Sequence, residues 1–336
     1  MVTVVVFEFG VMRCQPLRRA LVGNSNWYII MKLKDSLLEI PKYINSEDWS
    51  NPNVTKGKTF VCAVMANLAY ARIGKNELDD RDNVNLIPSD TYYEVLKSGD
   101  DSLFESYIRA LETENYFVIE RSGSVLVSIK FNNVIFVSMR GTRGFHPADW
   151  RINLNAKKVA PYPLDASKAK VHSGFYLEVE SFYQDLMREI KDKNWTDVPI
   201  YFVGHSLGGA LAALTYAKRT ARDVWYYHHF EDKHHNYSCI ESYTFGMPRW
   251  GNAAAISLFN SPQHFCVSND SVPRLPPECL GYVNCKHNRS VEDSDFSYVK
   301  YYGLKSRVSD VINVALCKKL KDHSIETYVE RVFQQL

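Results

Sequence analysis

Hydrophobic and polar positions change their period several times along the chain, and the changes divide it. Residues 1–56 show little periodicity and contain the loop signal Asn51-Pro52-Asn53, so they read as an extension. From Thr59 to Arg72, small and apolar residues recur at helical spacing. A polar stretch follows. Ser102–Glu112 then sets Leu103, Tyr107, Ile108 and Leu111 on one helical stripe. Next the period shortens. Tyr116–Glu120, Ser124–Lys130 and Val134–Met139 are runs rich in Val, Ile and Phe, bounded by Gly, Asn or Ser. They predict consecutive strands joined antiparallel through tight turns.

The remaining pattern alternates. A long amphipathic helix is predicted from about Gly174 to Lys191, with Phe175, Val179, Phe182, Leu186 and Ile190 on its apolar face. Strand Val198–Val203, a glycine-bounded turn and helix Leu207–Arg219 follow. Strand Ile240–Phe245, a helix near Gly251–Phe259, strand His264–Ser268 and a closing helix from Asp322 to Gln335 complete the series. Strands and helices alternating through short connections predict an α/β fold, with a mainly parallel sheet covered by helices on both faces. The expected organisation is an extension over 1–56 and one catalytic domain over 57–336.

Composition changes this picture little. A chain of 336 residues that is 46% hydrophobic can bury a substantial core. Forty basic residues against 38 acidic ones, with no basic arm, argue against nucleic acid as a partner. No run reaches the ~18 apolar residues of a membrane span. The opening Met1–Phe9 run lacks a basic start and is interrupted by Glu8, which makes a poor export signal. Met31 offers an alternative start. The compartment stays open between intracellular, the side favoured, and secreted.

The seven cysteines form no C-x-x-C spacing, so zinc is not expected. Cys279 and Cys285 suit a disulfide or two thiols equally. The histidine pairs at 228–229 and 234–235 lack the acidic or thiol frame of a metal site. No cofactor and no metal are expected.

The chemistry is carried first by Gly204-His205-Ser206-Leu207-Gly208, which fits G-x-S-x-G. Strand residues Ile200–Val203 lead into it and an alanine-rich helix leaves it. A nucleophile must stand clear of the sheet on a tight turn, and glycines beside it remove side chains that would collide. The serine then sits at a helix N-terminus, where backbone N–H groups face a developing oxyanion.

A serine hydroxyl needs a base, and the base needs an orienting acid. Chain order in this architecture runs Ser, acid, His. Asp270 follows strand His264–Ser268, at the carboxyl edge where catalytic groups collect. Taken alone, it reads first as a turn-forming Asp. For the base, His264 precedes Asp270 and falls inside a strand. His287 and His323 both remain, and position favours His323 only weakly.

Several blocks together resemble the class 3 lipase family, the fungal triacylglycerol-lipase type. They are Val137–Thr142, Val171–Phe175, the elbow, Thr244–Asn252, Asn269–Pro277, and His323 with Tyr328. The resemblance implies an α/β-hydrolase fold. It implies Ser206 as nucleophile, Asp270 as acid and His323 as base, with Thr142 and the Leu207 N–H as oxyanion donors. It also implies a lid over Arg143–Asn155, where Phe145, Trp150, Ile152 and Leu154 would face lipid.

The implied activity is hydrolysis of acylglycerol esters at a lipid–water surface. A phospholipase, a feruloyl-type or short-chain esterase, and a non-catalytic scaffold are the alternatives.

Overall fold

A computed structural model of the chain describes residues 19–20, 28–29, 32–72, 89–98, 101–113, 115–121, 124–140, 157–162, 168–196, 198–221, 239–299 and 320–336. Seven strands form one sheet: β1 (Tyr116–Arg121), β2 (Ser124–Lys130), β3 (Ile135–Arg140), β4 (Ile200–His205), β5 (Cys239–Phe245), β6 (Gln263–Cys266) and β7 (His287–Ser290). Their spatial order follows the sequence from β1 at one edge to β7 at the other. β1, β2 and β3 pair antiparallel, and every pairing from β3 to β7 is parallel. The sheet is therefore mainly parallel, as expected.

Alternation along the strands gives the sheet two apolar faces, because successive side chains point to opposite sides. On β4, Tyr201 and Val203 enter one core while Ile200 and Phe202 enter the other. On β3, Phe136 faces the first core, and Ile135, Val137 and Met139 face the second. The second face is covered by α5 (Ser173–Asp192), α6 (Leu207–Thr220) and α7 (Ala253–Leu258). The first is covered by α1 (Leu33–Ser46), α2 (Lys56–Leu68), α3 (Asp90–Ser98), α4 (Ser102–Ala110) and α8 (Ile325–Phe333). Burying each large side chain in these layers contributes roughly 1.5–3 kcal/mol.

Several segments differ from expectation. Helix α1 lies in the stretch read as non-periodic. Its buried Leu33, Leu37, Ile40 and Ile44 form a stripe that packs against α2. Pro41 sits inside this helix without breaking the stripe. Trp49 follows, with its indole edge-on to Phe136 and Tyr201 and its carbonyl accepting from the Tyr201 hydroxyl at 2.9 Å. Residues on both sides of position 57 thus share one core.

Helix α3 occupies part of the polar stretch. His287 opens β7 and does not lie in a loop. The closing helix begins as a 3-10 turn, Leu320–His323, and continues as α8, capped by the Ser324 hydroxyl. Cys279 and Cys285 are both free thiols, the former exposed and the latter buried against the Trp250 indole N–H. The paired histidines at 228–229 and 234–235 lie outside the described residues, and so do Thr142 and the candidate lid residues Phe145, Trp150, Ile152 and Leu154. Among the described residues, no helix is long and apolar enough to cross a membrane.

Candidate active site

The turn between β4 and α6 is shaped by close backbone approach. A Cβ on Gly204 would lie 2.3 Å from the Gly208 carbonyl oxygen, so only glycine lets strand and helix close this tightly. Ser206 is held at φ 57°, ψ −131°. Its N–H donates to the Phe245 carbonyl at 2.9 Å, tying the elbow to the neighbouring strand. Leu207 is the first residue of α6, so its N–H has no acceptor within the helix.

The other two members arrive from distant segments. Asp270 lies just beyond the carboxyl end of β6, fully buried. His323 ends the 3-10 turn before α8 and is also buried. His323 Nε2 is 2.8 Å from Ser206 Oγ, and His323 Nδ1 is 2.6 Å from Asp270 Oδ2. The Tyr328 hydroxyl donates to the same Oδ2 at 2.6 Å, and the Val272 N–H donates to Oδ1 at 2.9 Å. Converging donors are what a carboxylate accepts. Nδ1 then carries the imidazole proton, and Nε2 is left to accept from the serine.

Gly246 leaves room for this cluster. It adopts φ +57°, and a Cβ there would meet Asp270 Oδ2 and the Tyr328 hydroxyl at 2.9 Å.

Three further residues belong to the surroundings. Tyr328 reaches Asp270 from the helix that follows His323, and the sequence marked it only through resemblance. Tyr70 lies in the 3-10 turn Ala69–Ala71 that follows α2, and its hydroxyl is 2.9 Å from His205 Nδ1. His205 stood in plain view inside the motif, but its partner lies 135 residues away.

The histidines set aside take structural places. His264 Nε2 accepts from the Met247 N–H at 3.0 Å while Nδ1 faces Asn288 Oδ1 at 2.9 Å. Burial pushes its pKa from 6.5 down to about 4. His287 pairs in register with Gln263 at the amino ends of β6 and β7. That edge is opposite to Ser206.

Fold and site together define an α/β-hydrolase in which a serine, a histidine and an aspartate stand in hydrogen-bonded series. Residues 136–279 match the family described as Lipase (class 3), and the chain is similar to that family over this stretch.

Among similar proteins, a secreted mono- and diacylglycerol lipase of Malassezia globosa is 27% identical over 56% of this chain and 62% of its own length. Secreted mono- and diacylglycerol lipase A of Penicillium cyclopium is 25% identical over 50% of this chain and 54% of its own. The chain therefore spans less than two thirds of either relative. The crystal structure of the lipase from Rhizopus microsporus var. chinensis aligns at 20% identity and a TM-score of 0.46, covering 70% of this chain and 74% of that one.

Proposed function

We propose that this protein is a serine-dependent carboxylic ester hydrolase that cleaves acylglycerol esters through an acyl-serine intermediate. The observation that carries the reading is the continuous series from Ser206 Oγ through His323 to Asp270. In this reading His323 Nε2 takes the serine proton as Oγ attacks the ester carbonyl. The tetrahedral oxyanion is held by the Leu207 N–H at the start of α6 and by Thr142. Each such donor typically contributes about 3–4 kcal/mol.

Collapse of the intermediate breaks the ester C–O bond, and His323 returns the proton to the leaving alcohol. Water then attacks the acyl-serine with His323 again as base, which releases the fatty acid and restores Ser206. Asp270 holds the imidazole in the tautomer and orientation these transfers need. Phe145, Trp150, Ile152 and Leu154 would cover the acyl chain at a lipid–water surface.

Acylglycerol as substrate class is supported by the match of residues 136–279 to the class 3 lipases and by similar proteins described as mono- and diacylglycerol lipases. The decisive test is hydrolysis of para-nitrophenyl butyrate by the protein beside its Ser206→Ala variant. A loss of about 10⁴- to 10⁶-fold is expected. Equal activity in both would place the chemistry elsewhere. Comparing diacylglycerol, triacylglycerol, phosphatidylcholine and a feruloyl ester then ranks the substrates.

A further inference from the structure

Behind the triad lies a second buried pair with no place in the proton path above. His205 and Tyr70 are both almost fully buried, and the Tyr70 hydroxyl is 2.9 Å from His205 Nδ1. Burial raises the Tyr70 hydroxyl well above its ordinary range, so it remains a phenol and a donor. Burial, reinforced by the neighbouring His323, pushes His205 well below its ordinary range, so it remains neutral. Nδ1 therefore accepts from Tyr70, and the ring proton sits on Nε2. Nε2 is itself buried without a partner in hydrogen-bonding geometry, and the backbone group acting on the ring is that of His323.

The ring of His205 lies 4.6 Å from the ring of His323, at an interplanar angle of 37°. It also lies 5.7 Å from the ring of Tyr328. Because His205 immediately precedes the nucleophile, one side chain ties the elbow to the base.

We propose that Tyr70 and His205 form a positioning pair: Tyr70 fixes the His205 tautomer, and the neutral His205 ring holds the His323 imidazole in register with Ser206. The proposal rests on reading Ser206, His323 and Asp270 as a working triad. When Ser206 gives up its proton, His323 becomes an imidazolium. A neutral ring alongside accommodates that charge, whereas a protonated His205 would oppose it. The groups facing the pair are His323, with Asp270 behind it, and Tyr328. Arg140 and Glu326 act on Tyr70 with opposite signs. No other charged neighbour acts on the His205 ring among the described residues.

The test compares the wild type with Tyr70→Phe, His205→Phe and the double variant. Active sites are counted by covalent labelling with a fluorophosphonate, so kcat is expressed per reactive serine and folding yield drops out. Tyr70→Phe should lower kcat about five- to tenfold, the scale of one lost hydrogen bond, with KM little changed. The double variant should be no slower than His205→Phe, because the two residues act through one contact.

The acid limb of the kcat profile should move to higher pH in Tyr70→Phe. Loss of the phenol donor removes what favours the neutral His205 ring. His205→Phe has no such group and should show no such move. Unchanged kcat and pH profile in Tyr70→Phe, or losses that multiply in the double variant, would overturn the pair. Should His205→Phe fail to fold, Tyr70→Phe, which removes a single oxygen, decides alone through kcat and its pH profile. A wild type that neither labels nor hydrolyses the ester would overturn the triad reading itself, a different outcome from losing the pair.

Discussion

The two faces of the sheet bear on the site in different ways. The face covered by α5, α6 and α7 is built from residues 173–258 and lies within the stretch that matches the family. It carries the elbow on α6. The other face is covered by helices from outside that stretch, α1 to α4 and α8. It carries Tyr70 in the 3-10 turn after α2 and Tyr328 on α8, and His323 ends the 3-10 turn that leads into α8. Ser206 and His323 thus hang from opposite layers and meet only at the carboxyl edge of the sheet. A hydrogen bond of 2.8 Å between them reports on how both layers are seated.

The largest expected effect is on the contact where the layers meet. Asp270→Asn keeps the shape of the acid but reverses its preference, so His323 presents the wrong tautomer to Ser206. A fall of about 10⁴ in kcat is expected in steady-state ester hydrolysis. A fall below tenfold would mean the acid lies elsewhere.

Next come two matched truncations. Phe60 on α2 touches Tyr43 of α1 and Phe333 of α8, with ring centroids at 5.6 and 5.5 Å. Phe182 is fully buried in α5. Either residue replaced by Ala should cost about 3–5 kcal/mol in denaturant unfolding. Only Phe60→Ala should also lower kcat per labelled serine, because only that layer holds His323, the proposed base. Equal kcat in both variants would dissolve the contrast between the faces.

A smaller effect concerns pH. His264 is neutral when folded, with its pKa near 4, against 6.5 when free. Between those values the unfolded chain binds a proton that the native one refuses. Stability therefore falls as pH drops from 6.5 towards 4, by about 3 kcal/mol at most. Chemical denaturation at pH 7 and 4.5 measures this, and His264→Asn should flatten the slope over that window.

The smallest effect belongs to Tyr328→Phe. It removes one of the donors to Asp270 and should lower kcat roughly tenfold, the scale of one hydrogen bond to a charged group. Rates equal to wild type would leave Tyr328 with packing alone.

The elbow was legible because strand, glycines, serine and helix are contiguous, and each obeys a local steric rule. The histidine that meets Ser206 was not legible from the residues themselves. His287 and His323 both satisfied chain order, and what separates them is the edge of the sheet on which each falls. Parallel register puts His287 at the amino end of β7, a fact carried by pairing between strands.

Helix α1 escaped notice although Leu33, Leu37, Ile40 and Ile44 keep a complete helical stripe around Pro41. Proline normally breaks a helix interior, yet tertiary burial of that stripe overrides the local cost. The Tyr70–His205 contact joins two residues 135 apart through a phenol and an imidazole. Neither has a periodicity that marks it, and such pairs emerge only when layers stack.

The backbone of Ser206 also sets the evolutionary options at that codon. At φ 57° a β-branched side chain is strongly disfavoured. Threonine offers the same alcohol as serine but carries a second substituent on Cβ. The fold therefore rejects the one natural replacement that would keep an aliphatic hydroxyl, before chemistry has any say. Alanine, glycine and asparagine tolerate the conformation better, and all three silence the nucleophile. Drift at this position leads readily to a folded but inactive descendant, and hardly ever to an enzyme that has exchanged its alcohol.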